Sequence, residues 1–228
     1  MAISPPTWQA HLSPNYDAKM RHKCDALCKS ITAADPAFRR GIIADPRKLH
    51  RELFEEFVPP GFTEYAGTYR GSPNTTLENR RSQANSVLGG NAYAFAPPLE
   101  VKARMDKMLA DLSSQMAHAS EDYVKLMLAA YAFAWFGTIH PFLDGNGHVQ
   151  RALFAAVVTE MGCSLNARFA IHPRPYDRLM GGALELFATS DTNWQAELPL
   201  IMEYLSYFID GSFAAGPRRF MPNGSSLY

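Results

Sequence analysis

The hydrophobic residues of this chain recur mainly at the three- and four-residue spacing of amphipathic α-helices. Three such stripes lie in the first half of the chain, and proline-containing start signals at Ser13-Pro14 and Asp45-Pro46 precede two of them. The stripes comprise Met20, Cys24, Leu27, Cys28 and Ile31; Leu49, Leu53, Phe54 and Phe57; and Val101, Met105, Met108, Leu109 and Leu112. Residues 176–187 and 198–209 predict two further amphipathic helices.

Two other segments have almost no polar side. Residues 121–139 and 151–161 are apolar around nearly the whole helical circumference, and Gly162 is placed to end the second segment. Helices without a polar face are buried on all sides. We therefore expect these two helices at the centre of the fold.

Residues 65–98 interrupt the helical pattern with repeated glycine and proline. Within this region Tyr93 and Phe95 alternate with small residues, which predicts a short strand in a hairpin or extended flap. The sequence thus predicts an all-α fold, a helical bundle with a small β-hairpin flap.

The composition fits one soluble domain and excludes several classes of protein. The 228 residues are 47% hydrophobic, and 22 basic residues balance 22 acidic ones, so no broad positive field attracts nucleic acid. The longest apolar stretch, residues 126–139, is too short to cross a bilayer, and the N-terminal residues lack a secretory signal pattern. We expect a cytoplasmic protein without a nucleic-acid or membrane partner; delivery by a specialised secretion route would leave no readable trace.

The three cysteines, an odd number, imply no disulfide framework. Cys24 and Cys28 together with His22 fall one ligand short of a usual structural zinc site. Both cysteines lie on the apolar stripe of the first helix, which favours packing in the core.

The residues that carry chemistry lie between the two apolar segments, at residues 140–151. Their sequence is His-Pro-Phe-Leu-Asp-Gly-Asn-Gly-His-Val-Gln-Arg. Pro141 and the glycines on either side of Asn146 forbid a continuous helix, so the segment predicts a loop that enters a helix near Gly147. Backbone N–H groups at such a helix start bind anions.

The side chains of this loop favour phosphate-transfer chemistry. Arg151 follows Gly147 by one helical turn and can bind the same anion. Asp144 offers a hard oxygen ligand for Mg²⁺, and His140 can act as a general base near neutral pH. An alternative is a metal site with two histidines and one carboxylate, because His140, Asp144 and His148 are spaced by four. That site needs a straight helix, which the proline and glycines of the loop disfavour.

The same loop resembles the signature of Fic-domain proteins, His-Pro-Phe-x-Asp/Glu-Gly-Asn-Gly-Arg-x-x-Arg. Eight positions match: His140, Pro141, Phe142, Asp144, Gly145, Asn146, Gly147 and Arg151. Residues 49–54 and 66–70 resemble the family more weakly. The resemblance implies a Fic-type domain over residues 41–210, after an N-terminal helical extension at residues 1–40 and before a flexible tail at residues 211–228.

The resemblance implies an enzyme that transfers AMP from ATP to a Ser, Thr or Tyr hydroxyl of a target protein. It implies that His140 deprotonates the hydroxyl, that Asp144 holds Mg²⁺, that residues 145–147 cradle the phosphates and that Arg151 stabilises the terminal phosphates. Phe142 would anchor the loop in the core. The flap near residues 91–97 would hold the target protein as an added strand.

His148 departs from the family pattern, which has arginine at this phosphate-binding position. Histidine is shorter than arginine and only partly charged at neutral pH, which predicts weaker or pH-dependent phosphate binding. Two alternatives follow. The first is a Fic-fold enzyme that transfers phosphate or another phosphate-containing group and acts as a toxin, and the second is a protein that binds nucleotide without catalysis. An inhibitory helix of the family has only a near match at residues 74–79, where Glu78 would pair with Arg151. Otherwise regulation is expected from a small antitoxin-like partner or from the cell context.

Overall fold

The computed structural model describes residues 5–33, 35–174, 178–190 and 193–210. This part of the chain contains eight α-helices and one two-stranded antiparallel sheet, so the predicted all-α fold with a small hairpin is confirmed. The helices are α1 (Tyr16–Thr32), α2 (Pro36–Ala44), α3 (Pro46–Phe54), α4 (Pro98–Met116), α5 (Asp122–Ile139), α6 (Asn146–Glu160), α7 (Arg178–Thr189) and α8 (Trp194–Ser206).

Helices α5 and α6 form the centre of the fold, as their apolar circumference predicts. They pack against each other, α1 and α2 cover α6, and α4 and α8 cover α5. Every residue of α6 from Val149 to Val157 is buried. Because both helices are surrounded, the loop that joins them is fixed at both ends by the core.

Side-chain caps explain the starts of α2 and α3, and packing explains the differences from the prediction. The Asp45 carboxylate accepts a hydrogen bond from the Arg47 amide, as its start signal predicts. At Ser13-Pro14 the prediction was two residues early, because α1 begins at Tyr16 after Asn15 in the left-handed conformation. The helix predicted at residues 198–209 begins earlier, at Trp194, so Pro199 lies within α8. Packing of α8 on α5 outweighs the backbone donor that the proline lacks.

The flap is a hairpin of β1 (Gln83–Ala84) and β2 (Tyr93–Ala94), in register Gln83 to Ala94 and Ala84 to Tyr93. The Glu185 carboxylate of α7 ties its turn to the bundle by accepting hydrogen bonds from the Ser86 hydroxyl and from the Val87 amide, the latter at 2.7 Å. These hydrogen bonds lower the pKa of Glu185, and the bond from the Ser86 hydroxyl has the largest effect. The flap is therefore held at its turn by an ionised carboxylate.

The predicted boundary between residues 1–40 and 41–210 falls inside α2. The predicted C-terminal tail, residues 211–228, lies outside the described residues. None of the helices in the described part of the chain is both long and apolar enough to cross a membrane.

Candidate active site

The loop from His140 to Gly145 turns the chain between α5 and α6 at two left-handed residues. His140 caps α5 at φ 51°, and Gly145 precedes α6 at φ 76°. A Cβ added to Gly145 would lie 2.4 Å from the ring of Phe54, so only glycine fits there. Phe142 is fully buried between these turns, which agrees with the anchoring role implied by the resemblance.

The side chains of Asn146 and His50 fix the shape of the loop through hydrogen bonds. Asn146 accepts a hydrogen bond from the Phe142 amide and donates one to the Phe142 carbonyl, both at 2.8 Å. His50 of α3 accepts from the Gly67 amide at 2.8 Å through Nδ1, so its Nε2 donates to the Asp144 carbonyl at 2.9 Å. The side chain of Asn146 is thus used inside the loop, and only its backbone N–H can take part in the predicted phosphate cradle.

Arg70 joins the loop to the flap, although sequence analysis gave it no role. Its buried guanidinium donates to the carbonyls of His140 at 2.8 Å, Arg80 at 2.9 Å, Ile139 at 3.0 Å and Ala96 at 3.3 Å. Burial lowers its pKa to about 10, so the group remains cationic at neutral pH. The position of His140 therefore depends on a residue seventy positions earlier in the chain.

The imidazole of His140 is held parallel to a flap side chain. Its ring stacks on Phe95 with centroids 3.9 Å apart and planes 7° apart. Burial, and then the positive charge of Arg70, lower the pKa of His140 to about 3, while a hydrogen bond with the Gly137 backbone opposes the shift. The imidazole is consequently neutral at physiological pH and has a lone pair that can accept a proton, and the lowered pKa makes it a weaker base than an ordinary histidine.

A cavity of about 970 Å³ opens beside this imidazole. Every predicted site residue borders it: His140, Asp144, Gly145, Asn146, Gly147, His148 and Arg151. The structure thus brings the whole predicted set together around one space large enough for a nucleotide. The lining also includes Val87 of the flap and Leu184 of α7.

One end of the cavity has the properties of an anion site. Within the described residues, the backbone N–H groups of Asn146 and Gly147 at the start of α6 have no hydrogen-bond acceptor. A Cβ on Gly147 would lie 3.0 Å from Nη1 of Arg151, so the guanidinium sits directly against this turn. The Nε of Arg151 donates to the Ile171 carbonyl at 2.6 Å, which fixes the side chain. Amides, helix dipole and guanidinium together favour a bound polyanion.

The Asp144 carboxylate is positioned by two backbone amides. Ala10 donates to Oδ2 at 2.8 Å and Gly145 donates to Oδ1 at 2.7 Å. The Ala10 amide belongs to the N-terminal segment, which is held by the buried Trp8, whose Nε1 donates to the Phe57 carbonyl at 2.8 Å. Each carboxylate oxygen keeps a lone pair for a cation, so the carboxylate remains suitable for Mg²⁺.

Replacing Asp144 by alanine is expected to lower the free energy of unfolding by about 1.5–3 kcal/mol, because both amides lose a charged acceptor. Asparagine at the same position keeps one acceptor oxygen and should lose roughly half as much. Urea denaturation of the three proteins measures both differences. An alanine variant within about 0.5 kcal/mol of the natural chain would show that the amides do not stabilise the fold.

His148 meets a second histidine instead of reaching into solvent. Its Nε2 lies 3.1 Å from Nδ1 of His172, and the rings stack with centroids 5.3 Å apart. Nε2 of His172 lies 3.6 Å from Oδ1 of Asp17 on α1. Sequence analysis missed His172, which lies beyond the loop motif and carries no spacing signal of its own.

Three alternatives from the sequence gain no support. No group of three histidine, cysteine, aspartate or glutamate side chains in the described residues is arranged to hold a metal ion, which applies both to the His140, Asp144 and His148 set and to the zinc set. Residues 74–79 form turns and not the helix of an inhibitory element, and Glu78 is not among the residues that border the cavity with Arg151.

The helical setting and the loop geometry define a Fic-type domain. The model of the Fic/DOC family matches residues 43–158, just over half of the chain. The chain therefore belongs to the Fic/DOC family, whose members are commonly transferases and include AMP-transferring enzymes.

The solved structures that share this fold include two Fic domains. A Fic domain-containing signaling protein from Bacteroides thetaiotaomicron gives a TM-score of 0.58 at 18% identity, over 85% of this chain and 67% of that one. The N-terminal Fic domain of Bep8, a VirB-translocated effector protein from Bartonella sp. 1-1C, gives 0.54 at 15% identity, over 94% of this chain and 95% of that one. At these identities the likeness establishes the fold alone. No curated protein is significantly similar to the chain.

Proposed function

We propose that this chain is a protein adenylyltransferase that moves AMP from ATP to a Ser, Thr or Tyr hydroxyl of a target protein. The observation that carries the proposal is one cavity with a neutral imidazole at His140 and an anion site at the start of α6. A base beside a polyphosphate site is what the attack of a hydroxyl on a nucleotide requires.

The roles of the residues follow from their places around the cavity. The amides of Asn146 and Gly147 and the guanidinium of Arg151 bind the phosphates. Asp144 holds Mg²⁺, which when bound offsets phosphate charge. The apolar wall at Val87, Leu184 and Ala188 suits the flat face of a base.

In the reaction, Nε2 or Nδ1 of His140 takes the proton of the target hydroxyl. The hydroxyl oxygen forms a bond to the α-phosphorus of ATP, the bond from that phosphorus to the bridging oxygen breaks, and pyrophosphate leaves with the electron pair. Arg151 offsets the negative charge that builds on the leaving group. Within the described residues β2 pairs with β1 alone, so the flap near residues 91–97 has an edge to which a target segment can add as a strand.

The departure at His148 favours one alternative, transfer of a different phosphate-containing group. Both proposals use the same base and the same anion site. They differ in the donor and in which bond to phosphorus breaks. A small inhibitor protein in place of an internal inhibitory helix fits either proposal.

The position of a radioactive label in ATP separates the alternatives. With Mg²⁺, we expect the protein to add label to a cell lysate from ATP carrying ³²P at the α-phosphate, and to add none from ATP labelled at the γ-phosphate beyond that of the lysate alone. In the absence of a target, slow release of AMP and pyrophosphate is expected instead of ADP and phosphate. Labelling from the γ-phosphate alone would establish phosphorylation. Bound nucleotide without transfer from ATP or from several other phosphate-containing donors would establish a binding protein.

A further inference from the structure

We propose that His148 and His172 form a pair that gains one proton when a polyphosphate binds, so that the anion site acquires on binding the positive charge that an arginine would carry permanently. The inference rests on the proposed function, because it concerns the same nucleotide cavity. It assigns His172 and Asp17, neither of which belongs to the loop motif, to the phosphate site.

The hydrogen bond between the rings fixes where a proton can enter. Two nitrogens 3.1 Å apart share one hydrogen, so one ring donates and the other accepts. The Asp17 carboxylate, 3.6 Å from Nε2 of His172, favours a proton on that nitrogen. Nδ1 of His172 is then the acceptor, and Nε2 of His148 is the donor. The remaining basic position of the pair is Nδ1 of His148, for which the described residues provide no partner.

The surroundings keep the pair neutral while the cavity holds no anion. Burial, and next the charge of Arg151, lower the pKa of His148 to about 3, and burial also lowers the pKa of His172. Both rings pack in T-shaped contacts on the ring of Tyr16, which is buried. The ionisable and charged groups that face the pair from α1, α3, α6 and the 171–174 segment are Tyr16, Asp17, Arg21, Asp25, His50, Arg151 and Arg174.

A bound polyphosphate reverses this balance. His148, His172 and Arg151 border the same cavity, so negative charge there offsets the repulsion from Arg151 and attracts a proton to the pair. Protonation at Nδ1 of His148 leaves the hydrogen bond to His172 intact, because Nε2 still donates. One proton comes from solvent, no other bond changes, and the site gains one positive charge. By linkage, binding that takes up a proton weakens as pH rises, by as much as tenfold for each pH unit.

The test measures proton uptake on nucleotide binding by titration calorimetry with ADP at pH 7, in buffers of different ionisation enthalpy. On binding ADP, the natural chain is expected to take up as much as one proton more than His148→Arg, because the arginine side chain is always charged. The comparison cancels the proton that ADP itself exchanges. His172→Gln and Asp17→Asn should lower the uptake, and Asp17→Asn is a second, surface variant because that side chain is 87% exposed.

Each outcome decides a different point. Greater proton uptake by the natural chain than by His148→Arg, reduced in the other two variants, supports the pair. Equal uptake in all four proteins, with ADP bound, overturns the pair and leaves the proposed transferase intact. Failure of both the natural chain and His148→Arg to bind either ADP or ATP would overturn the proposed function and, with it, the inference.

Discussion

Replacing His140 by asparagine is expected to lower the rate of AMP transfer by about a hundred- to ten-thousand-fold while the protein keeps its fold. The imidazole is the base of the proposed reaction, and the asparagine amide cannot accept a proton at neutral pH. Asparagine is the sharper substitution because it tolerates the left-handed conformation, φ 51°, that His140 adopts. Alanine should lower transfer equally, but it lacks the polar side chain that favours the left-handed conformation.

Initial rates with labelled ATP and thermal unfolding of both variants test this expectation. Because burial lowers the pKa of His140 to about 3, the acid limb of kcat/KM caused by this residue should lie well below the ordinary histidine pKa. An asparagine variant that transfers AMP at the natural rate would exclude His140 as the base. A folded variant that binds ATP but transfers nothing supports the role.

Replacing Arg70 by methionine is expected to lower the free energy of unfolding by about 3 kcal/mol or more. The guanidinium satisfies four backbone carbonyls in a place without solvent, and methionine leaves all of them unpaired. Lysine should rescue little, because a single ammonium cannot reproduce the planar fork of donors. The matched control is Arg81→Met, since Arg81 is exposed and should shift stability by less than about 0.5 kcal/mol.

Chemical denaturation measures the stability of these variants, and transfer assays at a temperature where Arg70→Met is still folded measure its activity. Because Arg70 holds the carbonyls of His140 and of Ala96 in the flap, we expect kcat to fall more than ATP affinity. A stability loss as small as that of Arg81→Met would show that water or other groups satisfy the carbonyls. Unchanged kcat in the folded variant would remove Arg70 as a positioning residue.

The main elements of the fold were predictable because their signals are local. The two all-apolar segments predicted the central helices α5 and α6, and Asp45-Pro46 predicted the start of α3. Helix α2 was missed although Asp35-Pro36 carries the same start signal, because the segment is short and its stripe is mixed with charge. The start of α8 was misplaced because burial outweighs the local effect of a proline.

The candidate site was predictable only where it is continuous in sequence. Residues 140–151 stand on one turn between two buried helices, so their order along the chain already fixes most of their relative placement. Three residues from distant positions support that turn. His50 and Arg70 donate hydrogen bonds to backbone carbonyls of the loop, and the Ala10 amide donates one to the Asp144 carboxylate. Every residue type has a backbone N–H or C=O group, so the sequence does not show which residue such a hydrogen bond will reach.

The sequence by itself determined a central helix pair joined by a loop, and it predicted phosphate binding and a general base at that loop. Tertiary structure alone decided that His140 is neutral, because burial and Arg70 set its pKa, and that His148 faces His172. The physical reason is the range of the interactions. Periodicity and turn chemistry act over a few residues, whereas desolvation and long-range hydrogen bonds exist only after distant segments have packed together.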